Sequence, residues 1–212
     1  MILETRAVAP FFKNGYLIGC ETTRDAVLVD PGDEVEQLLD GARRHALLVR
    51  YILLTHAHLD HITGVATAKA ALNVPVGLHQ ADNFLYEAVV EQGRAFGIPV
   101  APQPPVDFFY TPGMEIPFGR YMVKVEHTPG HCPGGVCLTV SDAVSGPSLF
   151  VGDTLFAGSI GRTDLPGGDY ATLMDAITRV LLPFGDDARV HPGHGPSTTI
   201  GQERRTNPFL AR

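Results

Sequence analysis

Potential metal ligands are concentrated in one short stretch of the chain. From Thr55 to His61 the sequence reads Thr-His-Ala-His-Leu-Asp-His, so three histidines and an aspartate fall within six consecutive positions. His56 and His58 are two residues apart, and on extended backbone their side chains project to the same side. These two residues could therefore share one metal ion. Asp60 and His61 follow as the chain turns, face a different direction and could hold a second ion close by.

A loop at the end of a strand can also carry polar residues simply to satisfy backbone groups. That interpretation would be preferred for a single histidine, but three histidines with an aspartate favour metal binding. The apolar run Tyr51–Leu54 directly before them predicts a buried strand. The ligands would then lie in the loop at its carboxyl end, where ligands collect in layered α/β sheets.

Three later stretches, each directly after an apolar or alternating run, contain further candidate ligands. They are His-Thr-Pro-Gly-His at 127–131, Gly-Asp-Thr at 152–154 and Pro-Gly-His-Gly at 192–195. The glycines and prolines beside His131 and His194 predict tight turns that aim a side chain without a helix to carry it. The candidate ligands are thus spread over most of the chain, always at predicted strand ends.

The composition bounds the class of protein. The chain has 212 residues, of which 44% are hydrophobic, enough for one sizeable domain. A formal net charge of −7 and the lack of a Lys/Arg block argue against nucleic acid or a membrane surface as the main partner. Residues 1–6 do not resemble a secretory signal, and no stretch approaches the roughly 20 apolar residues of a membrane span.

The cysteines indicate the compartment. Cys20, Cys132 and Cys137 are odd in number and lack CxxC spacing. This pattern predicts reduced thiols in a reducing compartment, not a disulfide framework. We therefore expect a cytoplasmic protein.

The first half of the chain predicts strands followed by alternating helices and strands. After three strands within residues 1–30, a helix is expected to begin at Asp33, with Glu36 completing a capping box, and to bury a face that includes Ala46. The later predicted elements are the central strand, a short helix at 64–72, a strand at 74–79, one longer helix at about 82–97 and a proline-rich surface connector at 99–105.

The second half repeats this order without a literal sequence repeat. Its predicted strands lie at 115–118, 121–125, 136–140, 148–151 and 188–190. Asp169 is expected to cap a helix that Pro183 closes, and Thr199-x-x-Gln202 predicts a short terminal helix. We therefore predict an α/β protein, a single domain over residues 1–212, built as a four-layer αβ/βα sandwich with two mixed sheets and helices on the outer faces.

The ligand order HxHxDH, then His, Asp and His, resembles that of the metallo-β-lactamase-fold hydrolases over the whole chain. The resemblance implies two metal ions. One is bound by His56, His58 and His131, and the other is bound by Asp60, His61 and His194. Asp153 and a hydroxide would bridge the two ions. Imidazole and carboxylate suit zinc, with iron or manganese as the other candidates. Asp60 and Asp153 are also expected to serve catalysis, since with the hydroxide they leave the site about one charge positive, which favours an anionic tetrahedral intermediate.

Two stretches resemble the short glyoxalase II-like hydrolases, which lack a helical C-terminal domain. They are residues 154–169 and the tail at 195–209. This resemblance implies hydrolysis of S-2-hydroxyacylglutathione, such as S-D-lactoylglutathione, by attack of the metal-held hydroxide on the thioester carbonyl. A thiolate leaves without a strong general acid. The expected partner is thus a small glutathione-derived thioester, with a monomer and a small homo-oligomer both open.

Several residues have two interpretations. Arg162 lies where the resemblance implies a contact with the glutathione carboxylates, but an ion pair with Asp164 or Asp169 is an equal alternative. Asp30 either braces the ligand-bearing loop through hydrogen bonds or caps a turn. His191 either supports the metals or ends a strand.

Two other functions remain as alternatives. A persulfide dioxygenase would share the Gly-Arg-Thr-Asp at 161–164 but use a single iron at the equivalents of His56, His131 and Asp153. The Pro-Gly-His-Gly-Pro ending favours the hydrolase. A non-catalytic metal-binding module would require a disabled site, and every ligand position of the pattern is filled.

Overall fold

The computed structural model describes residues 1–142 and 146–211, which form two compact units. Unit 1 consists of Met1–Tyr110 together with Pro117–Arg120. Unit 2 consists of Thr111–Ile116 and the described residues from Tyr121 onward. A single domain over the whole chain stays a prediction.

Unit 1 contains a mixed sheet of six strands in the spatial order β1-β2-β3-β4-β5-β6. The strands are β1 (Ile2–Arg6), β2 (Gly15–Gly19), β3 (Asp25–Val29), β4 (Leu48–Leu53), β5 (Val76–Leu78) and β6 (Phe108–Phe109). β1, β2 and β3 pair antiparallel, whereas β3, β4, β5 and β6 pair parallel. The predicted strands of this half are confirmed, and β6 was missed because two residues are too short to show a periodic pattern.

The helices of unit 1 are α1 (Val35–Arg44), α2 (Leu59–Ile62), α3 (Val65–Leu72), α4 (Asn83–Glu87) and α5 (Val89–Phe96). α1 buries the apolar face that its periodicity predicts and packs on β1 and β2. The predicted capping box is wrong, because α1 follows Glu34 and has no side-chain cap, while Asp33 Oδ1 accepts the hydroxyl of Thr63 at 2.7 Å. Ala46 lies beyond the helix and is exposed.

The single helix predicted for residues 82–97 is also wrong. The chain leaves helical geometry at Ala88, where φ is −85° and ψ is 16°, and so forms α4 and α5. In a continuous helix the carbonyl of Leu85 would accept from the amide of Val89. Here that carbonyl accepts the side-chain amide of Gln92 at 2.8 Å, a contact that no apolar period reveals.

Unit 2 is built on a second mixed sheet, in the order β14-β13-β10-β9-β8-β7. The strands of this sheet are β7 (Glu115–Phe118), β8 (Tyr121–His127), β9 (Val136–Asp142), β10 (Gly146–Gly152), β13 (Arg189–Pro192) and β14 (Thr198–Thr199). The last two residues of β7, Pro117 and Phe118, are grouped with unit 1. β10 and β13 pair parallel, and their carboxyl ends are therefore neighbours. A separate hairpin joins β11 (Leu155–Phe156) to β12 (Ser159–Ile160).

The helical segments of unit 2 begin where their caps predict. Asp169 accepts the amide of Thr172 at 2.7 Å before α6 (Tyr170–Ala176), which continues as a π-helical turn (Ile177–Leu181) and a 3₁₀ turn (Leu182–Phe184). Thr199 accepts the amide of Gln202 at 3.1 Å before α7 (Ile200–Thr206). Apolar side chains of α6 pack against β10 and β13. In the part of the chain that is described, no helix combines the length and apolar character of a membrane span.

Candidate metal centre

The ligand loop of unit 1 (Thr55–His61) follows β4, and its last three residues form the first turn of α2. Asp30 directly follows β3, the parallel neighbour of β4. Both segments therefore lie at the carboxyl edge of the parallel strands, where α/β sheets collect ligands. His56, His58 and His61 are all buried.

The side chains of this loop converge as their spacing predicts. The rings of His56 and His58 are 4.9 Å apart between centroids and nearly perpendicular. The rings of His56 and His61 are 4.0 Å apart, and His61 Nε2 lies 3.8 Å from Asp60 Oδ2. The structure thus brings together all four ligands predicted in the first half of the chain.

Asp30 braces this loop, which decides between the two interpretations of that residue. Its Oδ1 accepts the backbone amide of Thr55 at 2.7 Å, and its Oδ2 accepts the hydroxyl of Thr55 at 2.6 Å and Nδ1 of His61 at 2.9 Å. The carboxylate is buried, with 1% of the residue exposed. One side chain therefore orients two successive parts of the ligand loop.

The same hydrogen bonds determine which ring nitrogens are available to a metal. Thr55 gives its only hydroxyl proton to Asp30, so its 3.1 Å contact with Nδ1 of His56 requires the ring to donate. Nδ1 of His61 likewise donates, because the facing carboxylate oxygen only accepts. In the neutral rings Nε2 then carries the lone pair, the state in which histidine binds metals.

In unit 2 the candidate ligands come from three separate strand ends. Asp153 follows β10 and His194 follows β13, and a backbone hydrogen bond of 2.7 Å from Gly193 to Gly152 ties these two ends together. Asp153 Oδ2 lies 3.6 Å from Nε2 of His194 and 3.7 Å from Nε2 of His131. Donor atoms that share one tetrahedral zinc at about 2.1 Å lie roughly 3.4 Å apart, so these separations suit joint ligation.

His131 is aimed by a glycine turn and by a backbone carbonyl. Gly130 has φ of +125°, and a Cβ at that position would lie 2.2 Å from the backbone nitrogen of Leu173. Only glycine fits there, so the predicted tight turn is confirmed. Nδ1 of His131 donates to the carbonyl of Arg162 at 2.7 Å, which leaves Nε2 for a metal.

Arg162 forms the ion pair that was one of its two interpretations. Its Nε and Nη2 each lie 2.7 Å from an oxygen of Asp164, a bidentate pair in which both side chains are more than half exposed. The hydrogen bonds from Arg162 lower the pKa of Asp164 to about 2. A contact between Arg162 and substrate stays a prediction, whereas its carbonyl orients His131.

His127 and His191 both lie in strands. His127 ends β8 and is 2.9 Å from the carbonyl of Pro133. His191 lies within β13, stacks on Phe150 with ring centroids 4.8 Å apart, and contacts the hydroxyl of Ser197 at 3.0 Å. Burial, with a smaller contribution from Arg189, lowers the pKa of His191 to about 4, so this ring is uncharged near neutral pH.

The hydroxyl of Thr55 is a functional group that the motif pattern did not single out. It occupies the first position of the ligand loop, but its role follows from hydrogen bonds to Asp30 and His56 that no spacing encodes. The candidate donors are imidazole nitrogens and carboxylate oxygens, and hydrogen bonds hold the Nδ1 atoms of His56, His61 and His131. This donor set fits zinc or iron.

The model of the metallo-β-lactamase superfamily matches residues 8–199. The chain therefore belongs to the metallo-β-lactamase superfamily. One relative is named hydroxyacylglutathione hydrolase GloC, from Haemophilus influenzae. It is 38% identical over 212 residues, which cover 99% of this chain and 98% of the relative.

Two solved structures are similar over nearly the whole chain. The BLEG-1 B3 metallo-β-lactamase has a TM-score of 0.90 and 37% identity, with 100% of each chain covered. TTHA1623, in a di-iron-bound form, has a TM-score of 0.85 and 44% identity, covering 98% of this chain and 100% of its own. These matches confirm the predicted fold, an α/β metallo-β-lactamase fold with two mixed sheets and helices.

Proposed function

We propose that the protein is a binuclear metal-dependent thioester hydrolase that cleaves S-2-hydroxyacylglutathione, such as S-D-lactoylglutathione, to glutathione and a 2-hydroxy acid. The observation that carries this proposal is the position of Asp153. Its Oδ2 lies within 3.7 Å of Nε2 of both His131 and His194, as expected of a carboxylate that bridges two ions. The full-length similarity to a relative named hydroxyacylglutathione hydrolase supports the choice of substrate.

The proposed ligands fall into two sets joined by Asp153. His56, His58 and His131 hold one ion, and Asp60, His61 and His194 hold the other. Two bound ions would supply an activated water and polarise the thioester carbonyl. We propose zinc as the metal, with iron as the alternative because TTHA1623 has been seen in a di-iron-bound form.

The protein's own groups set the charge and protonation of the site. Asp30, through Thr55 and His61, holds two ligand rings in the tautomer that presents Nε2. Asp60 and Asp153 offset only two of the four positive charges that two divalent ions bring, which leaves a site suited to an anionic tetrahedral intermediate. The thiolate of glutathione is a good leaving group, so no separate general acid is required.

Arg162 is proposed as a contact for a glutathione carboxylate. Its guanidinium is more than half exposed, and its ion pair with Asp164 is of the exposed kind that contributes little to stability. A substrate carboxylate could therefore replace Asp164 as its partner at small cost. This contact would raise substrate affinity without a direct role in the chemistry.

The test is metal analysis of the purified protein together with hydrolysis of S-D-lactoylglutathione. His131→Ala is expected to lower kcat/KM by roughly 1000-fold or more, since it removes a metal ligand. His127→Ala is the matched control, because His127 lies four residues earlier in the same segment and contacts only the Pro133 carbonyl among the hydrogen bonds described for its side chain. A His131→Ala protein that keeps full activity and full metal content would contradict the proposal.

A persulfide dioxygenase is the second candidate, favoured by the Gly-Arg-Thr-Asp at 161–164. That enzyme would contain one iron per chain, at His56, His131 and Asp153. It would take up oxygen with glutathione persulfide, and His61→Ala and His194→Ala would be tolerated. If the protein takes up oxygen with glutathione persulfide and does not hydrolyse the thioester, persulfide dioxygenase would become the proposed function.

β-Lactam hydrolysis is a third candidate, favoured by the name of the BLEG-1 structure. A chromogenic β-lactam in the same assay series measures it directly. We expect kcat/KM for S-D-lactoylglutathione to exceed that for the β-lactam. Turnover of any of these substrates would exclude a non-catalytic metal-binding module.

A further inference from the structure

We propose that Gln92 and Asp82 are positioning residues that hold the backbone of the ligand loop on both sides of His58. They thereby set the relative orientation of the His56 and His58 rings. This inference rests on the proposed function only in taking the loop to bind metal. Both residues lie outside every ligand motif, in the segment that the sequence predicts as a plain helix.

Gln92, on α5, brackets His58. Its Oε1 accepts the backbone amide of Leu59 at 3.0 Å, and its Nε2 donates to the carbonyl of Ala57 at 3.0 Å. The same Nε2 donates to the carbonyl of Leu85 at 2.8 Å. One amide group, with two donors and an acceptor, therefore binds the residue before His58, the residue after it and the end of α4.

Asp82 holds the other polar group of Ala57. Its carboxylate is fully buried, and Oδ2 accepts the backbone amide of Ala57 at 3.2 Å. Asp82 stands directly before α4 but makes no side-chain cap to that helix. The amide and the carbonyl of Ala57 are thus both bound by side chains.

These contacts matter because the loop has no sheet to hold it. β4 ends at Leu53, so the backbone groups between His56 and His58 lie beyond the strand ladder and must find partners elsewhere. The ring centroids of His56 and His58 are 4.9 Å apart, and His58 itself is extended, with φ of −71° and ψ of 151°. Two rings two residues apart share one side only while the residue between them stays extended. Rotation at Ala57 would separate the two rings, and the contacts of Gln92 and Asp82 oppose that rotation.

The experiment compares Gln92→Ala with Gln103→Ala in the 212-residue protein loaded with Co(II). Gln103 is a matched control, because its side chain also binds two backbone groups, the amide of Ala66 at 2.8 Å and the carbonyl of Ala101 at 3.1 Å, but neither belongs to the ligand loop. The readouts are the visible spectrum of bound Co(II), its affinity by chelator competition, and hydrogen exchange of the Leu59 amide.

We expect Gln92→Ala to weaken Co(II) binding by about 10- to 100-fold, the usual effect of losing a group that supports metal ligands. It should also change the Co(II) spectrum and speed exchange at Leu59, whereas Gln103→Ala should change none of these. Asp82→Asn, which keeps an acceptor for the Ala57 amide, should weaken binding less than Asp82→Ala. A general structural role would lower thermal stability but leave the Co(II) spectrum unaltered.

Unchanged Co(II) affinity and spectrum in folded Gln92→Ala would overturn the inference. If that variant does not fold, Gln92→Glu provides the test, because its carboxylate can still accept from Leu59 but cannot donate to Ala57. Co(II) binding by the wild type without thioester hydrolysis would contradict the proposed function alone, and failure of the wild type to bind Co(II) would overturn both.

Discussion

The candidate ligands of the two units are positioned by different means. In unit 1 the ligands share one loop, and side chains distant in sequence orient that loop: Asp30 binds Thr55 and His61, and Gln92 binds Ala57 and Leu59. In unit 2 the ligands come from three strand ends, where glycine turns and backbone carbonyls orient them.

This difference predicts which substitutions each unit should tolerate. A loop held by side chains should be sensitive to the loss of a distant polar group that binds it. Ligands held by backbone turns should be sensitive to any added side chain at the turn.

The largest effect is expected at Asp153, the residue proposed to join the two ligand sets. Asp153→Ala should lower kcat/KM for S-D-lactoylglutathione by roughly 1000-fold or more, which corresponds to about 4 kcal/mol, and reduce the number of ions bound per chain. Asp175→Ala is the control, since Asp175 pairs only with Arg179 among the ion pairs described for it, on the surface of α6. Two ions retained in Asp153→Ala would show that this carboxylate does not bridge them.

The next effect tests the role of backbone turns in unit 2. Gly130→Ala places a Cβ 2.2 Å from the backbone nitrogen of Leu173, and we expect a loss of about 3 kcal/mol or more in the free energy of unfolding. Gly97→Ala is the control, because Gly97 is in the left-handed α region with φ of +69° and an added Cβ meets nothing within 4 Å, so this change should cost only about 1–2 kcal/mol. Urea unfolding measures both. Equal losses would mean that the turn at His131 is not sterically constrained.

A smaller effect tests the role of side chains in unit 1. Asp30→Asn keeps the size of the side chain but removes the charged carboxylate that accepts hydrogen bonds from both Thr55 and His61. We expect metal affinity and kcat/KM to fall by about 10- to 100-fold. Asp33→Asn is the control, because Asp33 is exposed and accepts from Thr63 outside the ligand loop. If Asp30→Asn is as active as the control, then side chains distant in sequence are not what orients the ligand loop of unit 1.

The smallest effect concerns pH. The pKa of His191 is lowered to about 4 in the folded protein, below the roughly 6.5 of an unfolded histidine, so the unfolded state binds more protons between these values. The stability contributed by the neutral ring is present above about pH 6.5 and lost as the pH falls toward 4. At pH 5 the loss should be on the order of 1–2 kcal/mol. His191→Gln should remove this slope in urea unfolding, whereas His127→Gln should retain it.

The sequence alone determined the features that depend on local chemistry and on periodicity. The candidate ligand positions depend on residue type and on spacing along extended backbone, and the caps at Asp169 and Thr199 involve partners only three residues away. Strand positions follow from short apolar runs between turn residues. These features need no knowledge of distant residues, so they could be predicted.

Only the tertiary structure decided how those ligands are held. The helix breaks at Ala88, and Arg162 pairs with Asp164. Asp30 and Gln92 bind the ligand loop. Each of these features depends on which of several equivalent partners lies within hydrogen-bonding distance. Asp30 and His61 are 31 positions apart, and Gln92 and Ala57 are 35 positions apart. A hydrogen bond requires a separation near 3 Å and a set direction, and folding alone brings such distant groups to that geometry.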